Sequence, residues 1–137
     1  MAGYSKTPLA KKLGIKEGFI IRLVNAPENY FDLLTDMPEN VRITDSTKEK
    51  KNLIHFFTKE MSELNKILPK LKREILPDGS IWLSWPKKSS GVQTDVTENL
   101  IRNTGLQSGL VDIKICAVDE TWSGLKFVIP VKDRQTL

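Results

Sequence analysis

The chain has 137 residues, 39% of them hydrophobic and 28% charged. That is enough for one hydrophobic core, so a single domain over 1–137 is expected, and the composition excludes a disordered, collagen-like or mucin-like chain. No apolar run approaches the roughly 20 residues of a membrane helix, so a membrane partner is not expected. Lys and Arg number 21 against 17 Asp and Glu, a net charge of +4. The basic residues fall in short groups such as Lys11-Lys12, Lys70 with Lys72-Arg73 and Lys87-Lys88, most with an acidic neighbour such as Glu49 or Glu74. That pattern suits a solvated surface better than a nucleic-acid-binding face. Cys116 is the one cysteine and cannot form an internal disulfide, and Met1 to Lys6 has no apolar segment behind it. A cytoplasmic protein without a signal peptide is therefore expected.

In chain order, Pro8 to Leu13 reads as a short helix stopped by Gly14. Phe19 to Val24 follows as a buried strand. Pro27 and Glu28 open a helix carrying Tyr30, Phe31, Leu33 and Leu34, which Pro38 ends. Val41 to Thr44 forms a second short strand and Asp45 to Lys51 a polar loop. Asn52 to Phe57 is a strand, and Thr58 caps the helix after it. Met61, Leu64, Leu68, Leu71 and Ile75 recur at steps of three and four, along one helix face. Pro69 either kinks this helix or begins a second one. Pro77-Asp78-Gly79 is a turn and Ser80 to Trp85 a strand, on which Trp82 and Trp85 point to opposite faces. After the loop Pro86 to Gln93, Thr94 caps a helix with Asp95 and Glu98 in its first turn and Val96, Leu100 and Ile101 on its apolar side. Gly105 closes it. Leu110 to Val118 alternates as a strand, Asp119 to Gly124 turns the chain, and Leu125 to Val131 returns antiparallel. Strands alternating with helices predict an α/β fold: a three-layer, Rossmann-like, mostly parallel sheet with an antiparallel C-terminal hairpin. The strands around Ile54 and Leu83 should be parallel neighbours.

The loop Lys87, Lys88, Ser89, Ser90 and Gly91, leading to Thr94, is the candidate site. It lies at the carboxyl end of a strand, where open α/β sheets bind ligands. Ammonium groups, hydroxyls, a flexible glycine and free N–H groups at a helix start suit an anion. The spacing of a Walker loop is absent. His55, the only histidine, sits inside an apolar strand and reads as a hydrogen-bonded core residue; no spacing supports a Ser-His-Asp or Cys-His arrangement, so no catalytic residue is assigned. One His and one Cys supply no recognisable metal site. Cys116, between Ile115 and Ala117, reads as packed and inert. Asp119, Glu120, Trp122 and Ser123 on the last turn either contact a ligand or only cover the sheet edge, and the second reading is preferred.

The runs Trp85 to Asn99 and Gly109 to Phe127 resemble a family of short bacterial proteins of unknown function, which implies a small cytosolic protein and assigns no activity. Asn52 to Val131, with Leu76-Pro77-Asp78-Gly79-Ser80-Ile81-Trp82-Leu83 and the closing hairpin, also resembles the C-terminal half of a class I methyltransferase. That resemblance implies S-adenosylmethionine at a glycine-rich turn after the first strand and an acidic residue, here Asp45, holding the ribose. The matching turn, Val24-Asn25-Ala26-Pro27-Glu28-Asn29-Tyr30, contains no glycine. No cofactor is therefore expected to bind. The sequence supports a non-catalytic binding or regulatory module for an anionic small molecule or acidic partner, with a divergent methyltransferase-like enzyme as the alternative.

Overall fold

The computed structural model describes residues 7–136, with side chains to 134. The segment Met1 to Lys6, on which the expectation of no signal peptide rested, lies outside them. Six strands form one sheet: β1 (Ile20–Val24), β2 (Arg42–Ile43), β3 (Lys51–Phe57), β4 (Ile75–Pro86), β5 (Val111–Ala117) and β6 (Trp122–Val128). Their order is β2-β1-β3-β4-β6-β5. The first four are parallel, and β6 runs antiparallel between β4 and β5. This is the Rossmann-like arrangement expected, including the parallel pairing of Ile54 with Ile81 and of Phe56 with Leu83.

Side chains on alternate residues build two cores. Ile54 and Phe56 of β3, Ile81, Leu83 and Trp85 of β4 and Leu125 and Phe127 of β6 face helices α3 (Met61–Glu74) and α4 (Glu98–Gln107). Leu53 and Phe57, Trp82 and Ile21 face α1 (Leu9–Leu13) and α2 (Tyr30–Leu33). Trp82 and Trp85 thus serve opposite layers, as their odd spacing predicts. The Trp82 indole also donates to the Leu13 carbonyl at 2.9 Å, fastening the end of α1 to the sheet. Gly14 closes that helix in the left-handed conformation, φ 80°.

Several boundaries differ from the sequence reading, each for a packing reason. Pro69 lies inside one continuous α3, on its exposed side, while Leu64, Leu68 and Leu71 are buried. Ile75 begins β4 instead of ending the helix. Pro77-Asp78-Gly79 is a bulge within β4, since Lys51 pairs with Ile75 but Leu53 with Ser80. Trp122, Ser123 and Gly124 belong to β6, because Asp119 accepts the N–H groups of Thr121 and Trp122 at 2.8 and 2.7 Å and tightens the turn ahead of them. Within β1 only Ile21 is buried. β5 is a sheet edge with a one-residue bulge between Asp112 and Lys114, and Ile113 and Ile115 are 56% and 50% exposed. Its alternation therefore does not mark a buried face; the bulge exchanges the two sides.

Gly105 does not close α4. It lies within the helix, against the buried ring of Phe127: a Cβ there would sit 2.1 Å from Phe127 Cε2. The helix ends at Gly109 (φ 82°), where Leu110 N–H bonds the Gly105 carbonyl and Gly109 N–H the Leu106 carbonyl, a Schellman closure. Gly105→Ala is expected to lower stability by about 1–3 kcal/mol by overpacking. That outweighs the gain of up to about 1 kcal/mol in helix propensity. A urea midpoint equal to or above that of the parent would show that Phe127 yields freely.

Candidate functional site

From β1 the chain passes through α2 to β2 on one side of the sheet, and from β3 through α3 to β4 on the other. β1 and β3 are adjacent, so their carboxyl ends flank a topological switch point, where a crevice opens in such sheets. A cleft of about 510 Å³ lies there, lined by Asn25, Pro27, Phe57, Thr58, Lys59, Glu60, Glu63 and Trp122. Asn25, the first residue after β1, has φ 58°. Asparagine is one of the few residues besides glycine that adopt this left-handed conformation routinely. The Asn25 amide donates to the Phe57 carbonyl at 3.2 Å and to the Glu63 carboxylate at 3.1 Å. Thr58 donates its hydroxyl to the other Glu63 oxygen at 2.8 Å and accepts the Glu60 N–H at 3.1 Å. Glu63 is thereby held by the ends of both strands. The Trp122 ring meets Phe57 edge-on, with centroids 5.1 Å apart.

Behind Phe57 lies a buried polar chain. The Tyr30 hydroxyl is 2.8 Å from His55 Nδ1 and the Ser84 hydroxyl 2.7 Å from Nε2. All three residues are buried, and Phe57 stacks on the imidazole at 4.1 Å. A neutral imidazole has one donor and one acceptor nitrogen, and the two hydroxyls match either tautomer. Burial lowers the His55 pKa to about 3 and raises that of the Tyr30 phenol. His55 is thus the hydrogen-bonded core residue that the sequence predicts.

The loop singled out from the sequence is divided by the structure. Lys87, Lys88, Gly91 and Thr94 line a cavity of about 620 Å³ floored by Trp85 and Val96; Ser89 and Ser90 do not. Ser90 instead donates to the Lys87 carbonyl at 2.6 Å and accepts the Val92 N–H at 3.2 Å. Thr94 is not the cap of α4. Thr97 is, accepting the Leu100 N–H at 3.2 Å. Thr94 donates to the Lys59 carbonyl at 2.6 Å and accepts the Val96 N–H at 3.1 Å, while the Asp95 N–H bonds the Lys59 carbonyl. The N–H groups of Asp95 and Val96 are therefore already paired. Asp95 lies ahead of the helix and accepts the N–H of Met61, the first residue of α3, at 2.8 Å. Thr58, the expected cap of α3, sits two residues before its N-cap Glu60.

The last turn contributes to both spaces: Trp122 lines the cleft and Ser123 the cavity, whereas Glu120 is exposed. Cys116 is half-buried with its thiol pKa raised by burial. Asp45 is exposed beyond β2 and does not line the cleft. Among the described residues, no three His, Cys, Asp or Glu side chains gather as a metal set, and no helix is long and apolar enough to cross a membrane. Sequence reasoning missed Asn25, Glu63 and Thr58 as site residues. The available signal was the asparagine directly after an apolar strand.

No protein-family model and no curated protein matches the chain. Solved structures with the same fold do. A S-adenosylmethionine-dependent methyltransferase from Aquifex aeolicus is similar over 88% of each chain, at 15% identity and a TM-score of 0.60. One from Clostridium acetobutylicum ATCC 824 is similar over 88% of this chain and 87% of its own, at 8% identity and a TM-score of 0.59. A possible exported protein from Bordetella parapertussis is similar over 90% of this chain and 66% of its own, at 8% identity and a TM-score of 0.63. Further similar structures also bear methyltransferase or methylase names. At these identities the likeness shows the fold. It also corrects the reading as a non-catalytic binding or regulatory module, because many of these similar structures bear methyltransferase or methylase names, which favours the alternative.

Proposed function

We propose that the chain is a divergent methyltransferase-like enzyme that binds S-adenosylmethionine in the cleft between the ends of β1 and β3, in the cytoplasm. The observation that carries this reading is the Glu63 carboxylate, fixed at the switch point by Asn25 and Thr58. The expectation of no cofactor rested on a missing glycine. Asn25 supplies the left-handed backbone of such a turn but keeps its Cβ, so the cofactor would be met by the side chains of the lining and not by close backbone approach.

The lining fits the charged half of the cofactor. Bound there, S-adenosylmethionine supplies a methyl group on a positively charged sulfur. Glu63 and Glu60 offset positive charge, and the Trp122 face adds a cation–π attraction of about 0.5–2 kcal/mol. The Lys59 ammonium is available to an amino-acid carboxylate. Pro27 and Phe57 exclude water from the inner wall. Glu60, exposed at the mouth, is placed to take the proton that an oxygen or nitrogen acceptor gives up. The ribose end differs from the family pattern, since Asp45 lies outside the cleft.

Calorimetry with S-adenosylmethionine and its demethylated product tests the reading. Both should bind, and ligand at a hundred times Kd should stabilise the fold by about 2.7 kcal/mol. Glu63→Gln, whose remaining amide oxygen can still accept from Asn25 or Thr58 while the charge is lost, should weaken S-adenosylmethionine about tenfold, or about 1.4 kcal/mol. The uncharged-sulfur product should lose less. Absence of binding at millimolar ligand to the folded parent would overturn the proposal.

A further inference from the structure

We infer that the cavity beside the cleft is the acceptor compartment, and that the acceptor is a small molecule with an apolar body and an oxyanion, carboxylate or phosphate, at its far end; this rests on the methyltransferase-like reading above. A recess of about 430 Å³ links the two spaces. It shares Lys59 and Glu60 with the cleft and Gln93 and Thr94 with the cavity. The three therefore adjoin in a row along the carboxyl rim of the sheet, from β1 to β6, and together make up a channel with shared walls.

The charge along that channel is uneven. Its two carboxylates beyond the cleft are already engaged: Glu98 pairs with Arg102 at 2.8 Å, and Asp95 accepts the Met61 N–H at 2.8 Å. The lysines differ. Among the described residues, the Lys59 and Lys88 ammonium groups make no hydrogen bond or ion pair, and Lys87 stands beside Lys88 on the same wall. The cavity floor, Trp85 and Val96, is apolar and nearly buried, 6% and 3% exposed. An apolar floor with cations at the outer end suits a ligand whose ring or alkyl body lies on Trp85 and whose oxyanion meets Lys88. Such a ligand directs its other end through the recess toward Glu60 and the cleft. An acceptor bound in this direction presents its nucleophile where Glu60 can take the proton.

The test titrates the whole chain in two-dimensional amide spectra, with S-adenosylhomocysteine reporting the cleft and phenyl phosphate, benzoate and benzyl alcohol reporting the cavity. Phenyl phosphate and benzoate are expected to shift the amides of Gly91 to Thr94 and the Trp85 indole; benzyl alcohol at equal concentration should shift them at least tenfold less. Lys88→Glu, at an exposed position that spares the fold, should weaken phenyl phosphate at least tenfold and leave the S-adenosylhomocysteine shifts at Asn25 and Thr58 in place. Shifts in the cleft with none in the cavity, or phenyl phosphate binding unchanged by Lys88→Glu, would overturn the acceptor assignment and leave the cofactor reading standing. Cavity shifts with none in the cleft would remove the methyltransferase reading and, with it, the acceptor role.

Discussion

Glu74→Ala is expected to destabilise the protein by about 3–5 kcal/mol, the range for breaking a buried ion pair from one side. Glu74 ends α3 and accepts Lys51 Nζ at 2.8 Å on one oxygen, while Arg22 reaches both oxygens at 2.7 and 2.8 Å. The three residues join the first residue of β3, the middle of β1 and the end of α3. The Lys51 side chain is fully buried, whereas that of Arg22 keeps 21% of its surface in water. Removing the carboxylate leaves the Arg22 charge partly hydrated and the Lys51 ammonium stranded, and the second effect sets the size of the loss. Removing the Lys51 and Glu74 charges together, as Lys51→Met with Glu74→Leu, should recover most of the stability, because the one charge of the triad that remains, Arg22, keeps contact with water. Denaturant midpoints of the three proteins measure this. A loss below about 1 kcal/mol for Glu74→Ala would mean that Lys51 finds another partner or escapes to solvent.

Acid should weaken the fold through His55 well before most carboxylates are protonated. Its pKa is lowered by burial to about 3 in the folded chain, against an ordinary value of 6.5. Above pH 6.5 the ring is neutral in both states and contributes no pH dependence. Below it the unfolded chain takes up a proton that the folded chain refuses, so stability falls as pH drops from about 6.5 toward about 3. The slope reaches about 1.4 kcal/mol per pH unit. Between pH 7 and pH 5 the parent should lose up to about 2 kcal/mol more than His55→Gln. In that variant an amide can still meet the Tyr30 and Ser84 hydroxyls. Carboxylate contributions are common to both proteins and cancel in the comparison. Equal slopes in the two proteins would show that His55 is protonated within the fold.

The frame of the fold was legible because local pattern and tertiary packing agree there. β3, α3 and β4 follow from apolar steps of two, then of three and four, and Trp82 and Trp85 fall on opposite faces by parity alone. The site was less legible because its key contacts join distant segments. Thr94 and Thr97 are both threonines before an amphipathic stretch, and local rules rank them alike. Thr94 is claimed by the Lys59 carbonyl 35 residues away, which leaves the cap to Thr97. Asp95 likewise caps a helix that begins 34 residues earlier. Asn25 was passed over because glycine was sought there for close backbone approach to a ligand, whereas this turn is made by an asparagine in the left-handed conformation whose amide reaches residues 32 and 38 positions away. In β5 the alternation is real, but a bulge and an edge position place Ile113 and Ile115 in water.

The ion triad and the channel stand at opposite rims of the sheet. β3 begins at Lys51 and ends at Phe57, a separation of about 20 Å at roughly 3.3 Å per residue. Salt screens exposed charges beyond about 8 Å, so charge changes at the carboxyl rim are weakly felt at Lys51 and Glu74. Robustness and novelty are thereby housed apart. Mutations that rebuild the rim around Asn25, Lys59 or Lys88 draw little on the reserve held at the other end, which leaves this scaffold room to acquire new ligands by small steps while its folding remains intact.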